Sequence, residues 1–215
     1  MFNRHQLWGN LMLVLASTAV YGAVLAYWRS PLMALYVSVK LPLVFVMTTL
    51  LVSVLCWTSA TLLGSDLGYG NVLDAVFSAM ATAGRMFLAL APIVLYFIVT
   101  AADDKGTPEQ LRQIHASLML VHLTVFASAG TAGVVMMFRS LHEHLPSVRR
   151  LVLMIFIWLF SFAVVGGQIG WILRPLVGSP NISVEFVRKD AFASNVIESL
   201  VGQIIPNLIN KGVRR

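Results

Sequence analysis

Charge and cysteine are what this chain has least of. Only 11% of its 215 residues are charged, against about 25% in an ordinary soluble domain. A water-soluble fold of that composition would leave broad apolar patches facing solvent. Cysteine is reduced to Cys56, inside an apolar run, so a disulfide framework within the chain and a thiolate metal cluster are both excluded. No P-loop, dinucleotide fingerprint, nucleophile elbow or H-E-x-x-H pair occurs, and no cofactor or metal is expected. An intramembrane protease would need paired Asp residues, or Ser with His, at membrane depth, and the apolar runs offer only Asp74, near one end. No stretch mixes clustered basic residues with stacking aromatics, so a nucleic-acid partner is not expected either. The alternation of a membrane barrel strand is missing as well.

What the chain has in abundance is uninterrupted apolar sequence, 58% of its residues being hydrophobic. Five runs stand out, at 7–28, 41–63, 72–100, 114–138 and 151–173. Each reaches the roughly 20 residues that a spanning helix needs at about 1.5 Å of rise per residue. Backbone amides in lipid find no water, so runs of this length must be helical. The fold class expected is all-α: an integral membrane bundle of about five transmembrane helices over 1–180, followed by an amphipathic tail over 181–215. The first run is too long for the apolar core of a signal peptide and is expected to be retained. The third run exceeds a perpendicular crossing and contains Pro92, so it tilts, kinks or begins at the interface. Ser30 to Lys40 reads as a short interfacial helix, with Pro31 near its start.

Short polar links join the runs. Gly64 to Asn71 is a Gly-rich turn, Ala101 to Gln113 is charged, and Arg139 to Arg150 is basic. After Leu173 come Arg174-Pro175 and a turn-rich stretch. Phe192, Val196, Leu200 and Ile204 then recur every four residues, the pattern of an interfacial amphipathic helix. The formal net charge is +6, and its Lys and Arg sit mostly between the runs, which suits contact with anionic headgroups. Five spans put the termini on opposite sides, and the count of Lys and Arg near span ends leans toward a cytoplasmic C-terminus.

A few polar residues fall inside the runs. Arg85 is near the centre of the third, where an arginine costs roughly 2.5–3.5 kcal/mol on insertion scales unless it finds a partner or water. Asp74, Ser78, Thr82 and Arg85 share one helix face, which is expected to point into the bundle. Arg85 is then either an anion or headgroup contact or a structural residue bonding carbonyls. His115 and His122, seven apart, share a face of the fourth run. They are too far apart along one helix to hold one metal and read either as proton carriers or as satisfied core histidines. His142 and His144 flank Glu143 in a loop and read as solvated. The sequon Asn181-Ile182-Ser183 is of a kind common by chance. Gly166 and Gly170, with Gln168 between them, and the pair Ala129 and Gly133 are small-residue faces that let helices approach closely in lipid, within this bundle or against a partner helix. Trp171 and Arg174 close the fifth run as an aromatic and a cation at headgroup depth.

The stretch from Trp171 to Pro180, W-I-L-R-P-L-V-G-S-P, together with Tyr21-Gly22-Ala23-Val24-Leu25 and Lys40-Leu41-Pro42-Leu43, resembles uncharacterised bacterial polytopic membrane proteins similar to the Yip-type five-helix family. The resemblance covers most of the chain up to Pro180 and departs from the pattern at Leu176, where Phe is the expected residue. It implies five spans and a non-enzymatic role. The aspartate- and tyrosine-containing cytosolic motif of the eukaryotic members is not visible, so their small GTPase partners are not carried over.

The function expected from the sequence is that of a non-catalytic membrane subunit, anchor or scaffold in the inner membrane of a bacterium. Its partners would be membrane lipids and other membrane proteins, and its candidate contact residues Arg85, His122, Gln168, Trp171 and Arg174. The alternative is a small transporter or channel using Arg85, His122 and Gln168 at membrane depth. A membrane enzyme comes third and would need polar residues converging near one interface, around Arg174.

Overall fold

The computed structural model describes residues 4–102, 107–142, 147–177 and 184–187, together with Glu198. These form five helices: α1 (Arg4–Tyr27), α2 (Pro31–Leu62), α3 (Tyr69–Ala102), α4 (Pro108–Leu141) and α5 (Val148–Ile172). Each is long and apolar enough to cross a bilayer, and no strand occurs among the described residues. The chain is an all-helical integral membrane protein. The amphipathic helix expected after Asp190 lies outside the described residues, as do Glu143, His144 and the sequon.

The helices begin and end where local chemistry satisfies their free backbone groups. Ser30 accepts the Met33 amide at 3.1 Å, and Pro31 opens α2. Thr107 and Gln110 form a capping box: the Thr107 hydroxyl accepts the Gln110 amide at 3.3 Å, and the Gln110 side chain accepts the Thr107 amide at 2.8 Å. Ser147 accepts the Arg150 amide at 3.4 Å to start α5. At the end of α2, Gly64 takes φ +79. The Gly64 and Ser65 amides return to the Thr61 and Ala60 carbonyls at 3.0 Å each, the two bonds of a Schellman turn. Arg150 adds a bond from Nη1 to the Leu63 carbonyl at 3.1 Å, tying the start of α5 to the end of α2.

These caps lengthen the helices beyond the apolar runs. The 32 residues of α2 span about 48 Å at 1.5 Å per residue, well over a hydrocarbon core of about 30 Å. The expected short interfacial helix at Ser30 to Lys40 is therefore corrected: it is the first third of α2, running on through Pro42 without interruption. A proline removes one backbone bond and does not end a helix that packed neighbours support. Likewise α3 passes through Pro92 unbroken.

α1 and α2 form one antiparallel hairpin and α3 and α4 another. α1 also packs along α3, while α5 rests mainly on α2 and meets α4 little. Two apolar clusters result. One gathers Tyr21, Leu25, Met33, Val37, Phe87 and Val125 towards the end of the bundle where α1 finishes and α2 begins. The other gathers Val52, Cys56, Val72, Met137, Met154 and Trp158 at the opposite end. Lipid is as apolar as these side chains, so close packing and hydrogen bonds rather than dehydration hold such helices together. Gly22 shows the first: an added Cβ would lie 2.5 Å from the Val37 carbonyl oxygen, so α1 and α2 meet backbone to backbone. Trp158 shows the second, its indole N–H shared between the Ser59 hydroxyl at 2.9 Å and the Cys56 carbonyl at 3.2 Å. The outer faces stay apolar, with Phe156 and Phe160 on α5, Leu51 on α2 and Leu123 on α4 exposed.

Candidate functional site

The densest polar construction lies where α5 ends. The helix stops at Ile172 with Leu173 as its cap, as expected of a residue pair leading into Pro175. The chain then leaves helical geometry while still against the bundle, and its carbonyls lose their regular partners. Two side chains from elsewhere supply them. Trp28, just past α1, donates its indole N–H to the Val177 carbonyl at 2.8 Å. Lys40, wholly buried within α2, donates from Nζ to the carbonyls of Pro175 at 3.2 Å and Glu185 at 3.4 Å. The same ammonium sits 5.2 Å from the centre of the Phe186 ring, close enough for cation–π attraction. Phe186 meets Tyr36 edge to face at 5.4 Å. Lys40 thus serves carbonyls of the irregular backbone that follows α5.

Trp171 and Arg174 belong to this construction. The Arg174 guanidinium carbon stacks 3.8 Å from the centre of the Trp171 ring, and both residues are half-buried. The aromatic and the cation expected to act together at the end of the fifth run do meet. Gln168 is half-buried one turn earlier. Its flanking glycines face inward: Gly166 lies against Thr48, and Gly170 has Leu176 of the turn nearby. On α4, Gly133 sits against the Ala79 carbonyl of α3. Both small-residue faces are used within this bundle.

His122 lies deep between α4 and α1. Its Nδ1 is 2.9 Å from the Tyr21 hydroxyl, and its Nε2 has no hydrogen-bond partner among the described residues. Tyr21 stacks on Phe87 at 4.8 Å and meets Phe126 edge to face at 5.9 Å, so aromatic rings surround the pair. His115, two turns away, faces the Trp28 ring at 5.1 Å. The two histidines share a helix face, as their spacing required, and that face is turned to α1.

The polar stripe of α3 divides. Ser78 is buried and accepts from the Asn10 amide of α1 at 2.8 Å. Thr82 turns back to the Ser78 carbonyl at 2.9 Å. Arg85 is exposed, its Nη1 3.5 Å from the Thr82 hydroxyl. The expectation that the whole stripe points into the bundle is corrected for Arg85. Gly84 takes the contact with Ser17 of α1, and one residue further the helix has turned about 100° away from it.

Among the described residues, no three His, Cys, Asp or Glu come together as metal ligands would. Sequence reasoning missed Lys40, Trp28 and Trp158. No local signal marks their partners, which lie roughly a hundred residues or more away in the chain. It also missed the Gly22 contact, although Thr18, Gly22 and Ala26, small and spaced by four, are all buried on α1 and carry the usual signal of close helix approach. No family model, curated protein or solved structure matches this chain.

Proposed function

We propose that this protein is a non-catalytic membrane subunit or anchor, set in the cytoplasmic membrane of a bacterium, that offers a shaped surface at the α5 exit turn to another membrane protein. The observation that carries this reading is the use made of Lys40 and Trp28. Both are spent on holding the irregular segment around Pro175, Val177 and Glu185 in one place, as a fixed recognition surface requires. The stacked Trp171 and Arg174 are at its edge, half-buried. Tryptophan and arginine are the residue types that dominate binding energy in protein interfaces. The Yip-type resemblance carried by Trp171 to Pro180 is in keeping with such a role.

The alternative, a small transporter or channel, draws on His122, whose Nε2 lacks a partner among the described residues. A direct test compares the two. The protein reconstituted in liposomes is expected to add no proton or solute flux. In native membranes it is expected to migrate with a stoichiometric partner, which Arg174→Ala releases. Flux that disappears in His122→Ala, from a protein that migrates alone, would reverse the assignment.

A further inference from the structure

A threonine inside a helix commonly returns its hydroxyl hydrogen to a carbonyl one turn back. Every other threonine within the five helices does so. Thr49, for one, gives its hydrogen to the Phe45 carbonyl at 2.7 Å. Thr48 is the exception. It is 5% exposed, and its Oγ1 is buried without a hydrogen-bond partner among the described residues. A buried hydroxyl left unpaired is a cost to the fold.

Thr48 lines a cavity of about 280 Å³. α5 rests on α2 and meets α4 little, and the cavity lies in the crevice so left. Its walls are Val44 and Phe45 of α2, Met80 of α3, Phe126 of α4 and Phe162 of α5. Gly166 keeps the α5 side clear: an added Cβ would stand 3.3 Å from the Thr48 methyl and 3.5 Å from its hydroxyl oxygen. Phe45, Thr48, Phe126 and Phe162 are close to the middles of their helices, which sets the cavity near the middle of the bilayer. It is only partly enclosed, so a molecule dissolved in lipid enters from the side. At nearly twice the volume of the cavity, about 150 Å³, that takes in benzene, it has room for a substituted ring. Three phenylalanine rings and a thioether suit a flat conjugated system. The one polar side chain in the lining is the Thr48 hydroxyl, with its hydrogen unspent. A phospholipid tail fills such a space and leaves that hydrogen unpaired, whereas a ring carbonyl accepts it. We propose that this cavity binds the ring of a membrane-soluble quinone, with Thr48 donating to a ring carbonyl and Phe45, Phe126 and Phe162 packed against the ring.

The test uses the full chain in lipid nanodiscs, with thermal unfolding followed as duroquinone is added, or durene, the same methylated ring without carbonyls. A ligand that binds only the folded state raises the unfolding midpoint in a saturable way. Duroquinone is expected to do so with an apparent affinity at least tenfold above that of durene. Thr48→Val keeps the shape of the side chain and removes the donor. It should bring duroquinone down to the affinity of durene and leave durene unchanged. Val44→Phe sets a ring of the protein's own in the cavity and should abolish the response to both. Equal affinities for the two probes in the unmodified chain would overturn the proposal and leave a cavity filled by lipid tails. So would a midpoint that duroquinone does not move, or a preference for duroquinone that survives undiminished in Thr48→Val.

Discussion

Lys40 is the residue on which the end of the bundle near α5 depends. A buried ammonium is tolerable there because two carbonyls and an aromatic face receive it. Lys40→Met keeps the length and apolar stem and removes the donors. Each carbonyl left without a partner costs about 1–3 kcal/mol, so the segment holding Pro175 and Glu185 should come away from α2. Cleavage after Glu185 by a glutamate-specific protease is expected to accelerate several-fold in Lys40→Met, with the thermal midpoint lowered. An unchanged cleavage rate would mean that the turn is held by other groups. Trp158 makes a parallel case at the other end. Trp158→Phe keeps most of the ring and loses the shared N–H bond to Ser59 and Cys56, at a cost of about 1 kcal/mol. Because the Ser59 hydroxyl would already have lost that donor, adding Ser59→Ala should cost less than the same change in the parent, the non-additivity that a double-mutant cycle measures.

At the scale of the element, the glycines rank themselves. A Cβ on Gly22 would meet the Val37 carbonyl oxygen at 2.5 Å, one on Gly133 the Ala79 carbonyl oxygen at 3.2 Å, and one on Gly130 nothing within 4 Å. Helix propensity alone favours alanine over glycine by up to about 1 kcal/mol. Gly130→Ala is therefore expected to be neutral or mildly stabilising, Gly133→Ala mildly destabilising, and Gly22→Ala severely so, because neither backbone can give way without parting α1 from α2. Thermal unfolding of the three variants in one detergent checks the order; any other ranking would place the close contacts elsewhere. The five helices themselves were legible in the sequence, since lipid forces continuous apolar helices wherever about 20 such residues run together. Their ends were legible less well. Ser30-Pro31 reads as a helix start, though of a separate short helix; Thr107-Pro108 with Gln110, and Ser147, are ordinary start signals too, but in links rich in charge they read as loop. The inward or outward sense of Arg85 could not be read from α3 alone, because it depends on where α1 lies along that helix. The partners of Lys40 and Trp28 were illegible for a stronger reason: they are backbone carbonyls of a turn 135 and more residues distant, and a carbonyl leaves no mark in the sequence.

For the whole molecule, the alternating direction of five spanning helices is the claim from which the others follow. It sets the α5 exit turn and the start of α3 at opposite ends of the bundle. It also assigns each connection to a side. Thr107 and Glu185 belong to the end where α1 finishes, Gly68 and Ser147 to the end where it begins. Cys56 is the only native thiol and is buried, so single cysteines introduced at these four positions in a Cys56→Ala background report on access directly. Labelling of sealed, oriented membrane vesicles with a membrane-impermeant maleimide is the most direct measurement. Thr107→Cys and Glu185→Cys are predicted to react from one side only, and Gly68→Cys and Ser147→Cys from the other side only. Reaction of Thr107→Cys and Ser147→Cys from the same side would contradict the antiparallel five-span bundle and everything built on it.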